Sequence, residues 1–183
     1  MSKKVLLNSK EIEIILHRLA CQLIENHNNF SETVLIGLQP RGSFLANRLG
    51  DILKNEYKIK NVNLGLLDIT FYRDDFGRGD QPLIPSVTNL DFSIENKKVI
   101  LVDDVLYTAR TVRAGLDALM SFGRPLEVEL MTFIDRRFSR HIPIQPNYVG
   151  QSVDSIETEK VAVNWKETEG VDEVILYTTI END

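Results

Sequence analysis

The chain has 183 residues, 43% hydrophobic and 26% charged, with a formal net charge of -6. That length suits one domain with a proper core, no apolar run approaches membrane-spanning length, and the acidic balance gives no global pull toward nucleic acid. One cysteine, Cys21, excludes an internal disulfide, and together with His17, His27 and His141 it shows no metal-ligand spacing. The opening MSKKVLLNSK has too short an apolar run for a signal peptide, so the expected location is the cytoplasm, with no membrane partner.

The clearest helix runs from about Asn8 to Asn26. Ile12, Ile15, Leu16, Leu19, Leu23 and Ile24 recur at helical spacing, and Asn8 with Glu11 forms a capping pair. Its other side carries His17, Arg18, Cys21, Gln22 and Glu25. Thr33-Val34-Leu35-Ile36 reads as a buried strand, followed by the loop Gly37-Leu38-Gln39-Pro40-Arg41-Gly42 and a helix holding Leu45, Leu49, Ile52 and Leu53. A Gly-flanked loop with one cation before a helix N-terminus suits an anion, a weak signal by itself because most strand-to-helix loops contain glycine. Val62 to Tyr72 alternates or runs apolar. Residues 73–82 then gather charges and turn formers. The bland reading is a solvated loop. The functional one is a lid whose Arg73 and Arg78 neutralise a pyrophosphate.

Lys97 to Thr111, KKVILVDDVLYTART, is the stretch around which the chain is organised. Val99-Ile100-Leu101-Val102 fits a strand buried on both faces, ending in Asp103 and Asp104. The loop Val105-Leu106-Tyr107-Thr108-Ala109-Arg110 leads to Thr111, which opens a helix with Val112, Leu116, Leu119 and Met120 on one face, stopped by Gly123 and Pro125. In an open α/β sheet, ligands bind beyond the carboxyl ends of the strands. Loop N–H groups and the hydroxyls of Thr108 and Thr111 suit a phosphate, while the acids suit sugar hydroxyls or hydrated Mg2+. Taken singly, an Asp pair is usually a turn and a Thr usually a helix cap. Together they describe a site for a phosphorylated sugar. Further on, Val128, Leu130 and Phe133 mark a strand ending in Ile134-Asp135-Arg136-Arg137. Residues 138–154 read as irregular, Val161–Val163 and Val174–Tyr177 as final edge strands, and Glu167–Glu173 as an acidic turn.

The order of apolar run, D-D-V-x-x-T-x-x-T and helix resembles the loop that binds phosphoribosyl pyrophosphate (PRPP) in type I phosphoribosyltransferases. LDITFYRDD, VILVDDVLYTARTVRAGLDAL and IPIQPNYVG resemble the branch that joins uracil phosphoribosyltransferase activity to pyrimidine-operon regulation, over roughly Leu6 to Tyr177. The resemblance implies an α/β fold of the type I phosphoribosyltransferase kind: a parallel sheet flanked by helices, with a small hood from the N-terminal segment and roughly residues 134–183. It implies uracil plus PRPP giving UMP and pyrophosphate, homodimers or higher homo-oligomers, and RNA as a further partner. Asp103, Asp104 and Arg73 would be catalytic. Gln39, Pro40, Arg41 and Gly42 would hold pyrophosphate; Val105, Leu106, Tyr107, Thr108, Ala109, Arg110 and Thr111 the sugar phosphate; Asp135 and Arg136 the base side. Mg2+ would come mainly through PRPP, with Asp103 as the side chain offered to it. Asp135-Arg136 stands where a 6-oxopurine enzyme would place a Lys, which disfavours purines. Ala109 departs from the family's usual Gly, a mild change at negative φ and harmful to phosphate binding at positive φ. The alternative is a PRPP- or nucleotide-sensing RNA-binding regulator with little catalysis. For RNA, the first helix keeps Arg18 but has a thin cationic face, while Arg136, Arg137, Arg140 and His141 form a basic cluster.

Overall fold

The computed structural model describes residues 2–75 and 84–178. In chain order its elements are β1 (Ser2–Leu7), α1 (Ser9–His27), β2 (Thr33–Leu38), α2 (Gly42–Asp51) continuing into a π-helical turn at Ile52–Glu56, β3 (Asn63–Leu67) and a 3-10 turn at Thr70–Tyr72. Then come β4 (Lys98–Leu106), α3 (Arg110–Leu119), β5 (Glu127–Arg137), β6 (Tyr148–Asp154), β7 (Glu159–Asn164), α4 (Lys166–Glu169) and β8 (Glu173–Thr178).

The larger sheet has the order β3-β2-β4-β5-β6 with every neighbouring pair parallel. Side chains alternate across a strand, so its centre divides between two cores. Ile100 and Val102 join the core under α1 and α2, while Val99 and Leu101 join the one under α3. Burial on both faces is why the run reads as continuously apolar. β1, β8 and β7 form a small antiparallel sheet from the two ends of the chain. β8 is its central strand, not an edge as the sequence suggested.

α1 begins as its sequence dictates. The Asn8 side chain accepts from the N–H groups of Lys10 and Glu11, and the Glu11 carboxylate accepts from Asn8 N–H at 2.8 Å. His27 closes the helix in a buried polar cluster, 3.1 Å from Thr33 Oγ1, 2.8 Å from Glu129 and 3.0 Å from Tyr148 Oη. Residues 138–154, expected to be irregular, contain β6. At Gly150 a Cβ would lie 2.3 Å from the Phe133 carbonyl oxygen, so glycine permits the pairing with β5. Met120, grouped by the sequence with Val112, Leu116 and Leu119 on one face, is the C-cap of α3 and 53% exposed. Among the described residues no helix is long and apolar enough to cross a membrane.

Candidate functional site

The two acids lie inside β4 rather than after it, because the strand runs on to Leu106. Both are buried, Asp103 to 6% and Asp104 to 8% exposure. Burial, then the neighbouring charge of Asp104, raises the Asp103 carboxyl well above the usual carboxylate range. Burial also raises Asp104, against the opposing pull of Arg41. The Asp103 carboxylate accepts from Asp104 N–H at 3.0 Å. Such a pair ionises most readily when positive charge lies beside it, which is what a cation or a cationic sugar ring would supply.

A strand-to-helix loop flanks the pair on each side. The first runs from Gln39 to Gly42, with a cis Gln39–Pro40 peptide and Ser43 Oγ donating to Pro40 O at 2.5 Å. Its Gly42 packs on β4 so closely that a Cβ would lie 2.3 Å from Val102 O and 3.0 Å from Asp103 Cα. Arg41 Nε donates to Asp104 Oδ2 at 3.2 Å, and its other nitrogens donate to Glu169 and to Val163 O on the small-sheet side. A cavity of about 340 Å³ lies among Arg41, Asp104, Val105, Glu169 and residues 160–164.

The second loop has three residues, Tyr107 to Ala109, and the helix opens at Arg110, one residue before the Thr111 expected. Ala109 has φ 70°, the left-handed region, and is 3% exposed. Thr108 Oγ1 accepts from Arg110 N–H at 3.5 Å, a weak contact. A second cavity, about 260 Å³, is lined by Tyr107, Thr108, Arg110 and Thr111 with residues 73–75.

This geometry has counterparts. The phosphoribosyl transferase domain family matches residues 2–168. Bifunctional protein PyrR of Desulfosudis oleivorans is 45% identical over 94% of each chain, and bifunctional protein pyrR of Enterococcus faecalis is 39% identical over 96% of this chain and 97% of its own. The chain belongs to the PyrR group of the phosphoribosyltransferase family. Solved structures show the same fold at lower identity. A hypoxanthine phosphoribosyltransferase from Staphylococcus aureus has a TM-score of 0.69 and 21% identity, covering 97% of this chain and 93% of its own. One from Trypanosoma cruzi has a TM-score of 0.72 and 19% identity, covering 94% and 92%.

In this phosphoribosyltransferase the remaining expected site residues divide. Arg73 binds Asp75 with two nitrogens, at 2.8 and 2.6 Å, a contact that raises its pKa. Arg110 pairs with Asp74, and Arg113 donates to Tyr72 O at 3.0 Å, so the start of the charged segment is fastened to α3. Arg78 and the rest of the expected lid, residues 76–82, lie outside the described residues. The Asp135 carboxylate is occupied by Arg140. Arg136 is 5% exposed and lies 3.8 Å over the Tyr107 ring. It also donates to Ser155 Oγ at 2.8 Å and to the carbonyls of Ile156 and Glu159. Burial lowers its pKa. The guanidinium is thus a tie between elements, not a group held open to solvent. Glu169 gave no sequence signal, since its partner Arg41 is 128 residues away.

Proposed function

We propose that the protein is a uracil phosphoribosyltransferase, forming UMP and pyrophosphate from uracil and PRPP with Mg2+. The observation that carries this reading is the buried Asp103–Asp104 pair at the end of the central strand, flanked by two strand-to-helix loops suited to anions. As the bond from the anomeric carbon to pyrophosphate breaks, the ribose gains oxocarbenium character and the leaving group gains negative charge. Asp103 and Asp104 accept hydrogen bonds from ribose hydroxyls and place negative potential under the ring. Ribose hydroxyls compete with Arg41 for Asp104, and Arg41 released from that contact meets pyrophosphate together with the N–H groups of its loop. The Tyr107–Thr111 loop and the N-terminus of α3 take the sugar phosphate. A uracil ring nitrogen attacks the anomeric carbon, so no nucleophilic side chain is required.

Among the described residues no group of three or more His, Cys, Asp or Glu is arranged to hold a metal. The donors fit Mg2+ nonetheless, because that ion keeps waters and substrate oxygens and uses one or two carboxylates. Asp103 is the side chain offered to it, and when bound it supplies charge neutralisation at pyrophosphate. The chain forms one domain, hooded by the small sheet and residues from 134 onward, and assembles as a homo-oligomer in the cytoplasm.

Incubation with PRPP, Mg2+ and a panel of bases, following pyrophosphate release, tests the reading; release with uracil above purines is expected. No release with any base favours the regulator alternative, a PRPP- or nucleotide-sensing RNA binder. Against RNA binding through α1, Arg18 donates to the carbonyls of Val149 and Gly150 and is tied to the sheet edge.

A further inference from the structure

We infer that Arg140 is a positioning residue that sets the phosphate-facing geometry of the Tyr107–Ala109 loop from behind. The inference rests on the phosphoribosyltransferase reading and assigns a role to a side chain that the sequence places only in a basic cluster with Arg136, Arg137 and His141. Arg140 Nη1 donates to the Tyr107 carbonyl at 2.6 Å, and its Nη2 donates to Asp135, which lies at the end of β5. The two residues after it complete the hold. The N–H groups of His141 and Ile142 donate to the Thr108 carbonyl at 3.1 and 3.3 Å. Both free carbonyls of the loop are thereby turned toward the 140–142 segment.

A trans peptide is planar, with its N–H pointing opposite its C=O. Fixing the Tyr107 carbonyl therefore directs the Thr108 N–H away from the clamp, and fixing the Thr108 carbonyl does the same for Ala109 N–H. The cavity formed by this loop, Arg110 and Thr111 has no lining residue from 138–142. A loop of three residues has few intrinsic restraints, and one whose N–H groups must all face an anion gains from having its carbonyls occupied elsewhere. Arg140 suits this task because a guanidinium presents several donors in a fixed plane and can serve a carbonyl and a carboxylate together. Its side chain is 22% exposed and that of Asp135 14%, so the pair is shielded from solvent competition.

The test compares wild type, Arg140→Gln and Arg140→Lys in UMP formation, with PRPP and uracil varied in turn. Ribose 5-phosphate binding is measured in parallel by calorimetry. Arg140→Gln is expected to raise the KM for PRPP, and weaken ribose 5-phosphate, about tenfold or more, as loss of a charge-assisted bond implies. The KM for uracil should move less. Arg140→Lys should recover part of the loss, since an ammonium can still reach one of the two acceptors. Unchanged PRPP KM and ribose 5-phosphate affinity in the Gln variant overturn the role. So does an equal rise in both KM values accompanied by a lower melting temperature, which general loosening would produce. If the Gln variant fails to fold, Arg140→Lys decides alone: a raised PRPP KM at wild-type melting temperature supports the clamp, and an unchanged KM overturns it. A wild type that forms no UMP removes the functional reading, and its ribose 5-phosphate affinity against that of the variants still decides the clamp.

Discussion

The two loops that flank the acid pair solve the same problem by opposite means. The Gln39–Gly42 loop is held by contact from the front, because Gly42 presses directly on the backbone of β4 at Val102 and Asp103. The Tyr107–Ala109 loop is held from behind, by Arg140, His141 and Ile142, and carries a Cβ at positive φ. In the first, glycine is demanded by space. In the second, glycine is only preferred by conformation, so another residue can stand there at modest cost. The difference teaches that a missing glycine is serious where backbone touches backbone and tolerable where a clamp enforces the backbone.

The largest expected effect comes from the acids that both loops serve. Asp104→Asn should lower turnover by about 100-fold to 1,000-fold, the range found when a group aimed at developing charge is removed, with the fold unchanged. Steady-state assays beside circular dichroism check it. A fully active variant would remove Asp104 from the mechanism and reduce the comparison of loops to one of packing.

Gly42→Ala tests the front contact. The added methyl would sit 2.3 Å from Val102 O, and the atoms it meets are backbone, which cannot swing aside as a side-chain tip could. Overpacking of this kind typically costs about 1–3 kcal/mol. A lowered denaturation midpoint is expected, together with weaker PRPP binding as the loop that presents Arg41 is pushed away from the acid pair. Wild-type stability and affinity would show that β4 and the loop can part freely, and that the two loops do not differ as described.

Asp103→Asn sharpens the picture between the loops. The Asp103 carboxyl is raised in the folded protein, so the native state holds a proton there that the unfolded chain releases. The stability this group contributes is fully present below the ordinary carboxylate range and is lost as pH rises through the raised value. An amide has no charge to bury, and its oxygen can still accept from Asp104 N–H. The ligand-free variant should therefore melt close to wild type at about pH 4 and a few degrees above it at about pH 8. Parallel melting curves across that range would contradict the burial argument.

The acids, both loops and the capping box of α1 were legible in the sequence, because each is local: a run of residues, a turn and a helix start. What was not legible depends on distant partners. β6 was hidden because it lies in a segment that Pro143 and Pro146 mark as irregular, and its pairing with β5 is made only by folding. The central place of β8 depends on β1, from the opposite end of the chain. His27 read only as a histidine without metal-ligand spacing, since Glu129 and Tyr148, which enclose it, lie 102 and 121 residues away. Arg136, expected on the base side, likewise gave no sequence sign of its structural contacts. Its partners are the Tyr107 ring and the 155–159 segment, brought together only by folding.

The smallest expected effect belongs to Ala109. Its φ of 70° is the condition under which a Cβ was expected to harm phosphate binding. Left-handed backbone costs a non-glycine residue roughly 1–2 kcal/mol. That cost falls on folding, however, because the clamp holds the loop in this conformation in the absence of ligand. Ala109→Gly would relieve it but would add unfolded-chain entropy worth about 0.4–1 kcal/mol and remove a buried methyl. The terms nearly cancel, so melting temperature should shift little. PRPP affinity should stay within a few-fold, since free and bound states share the same loop geometry. Titration calorimetry with PRPP and Mg2+ measures this directly. A much larger gain in affinity would mean that the loop with alanine is not set before the ligand arrives. The rear clamp would then be insufficient, and the chain would have drifted from tight PRPP binding toward the regulator reading.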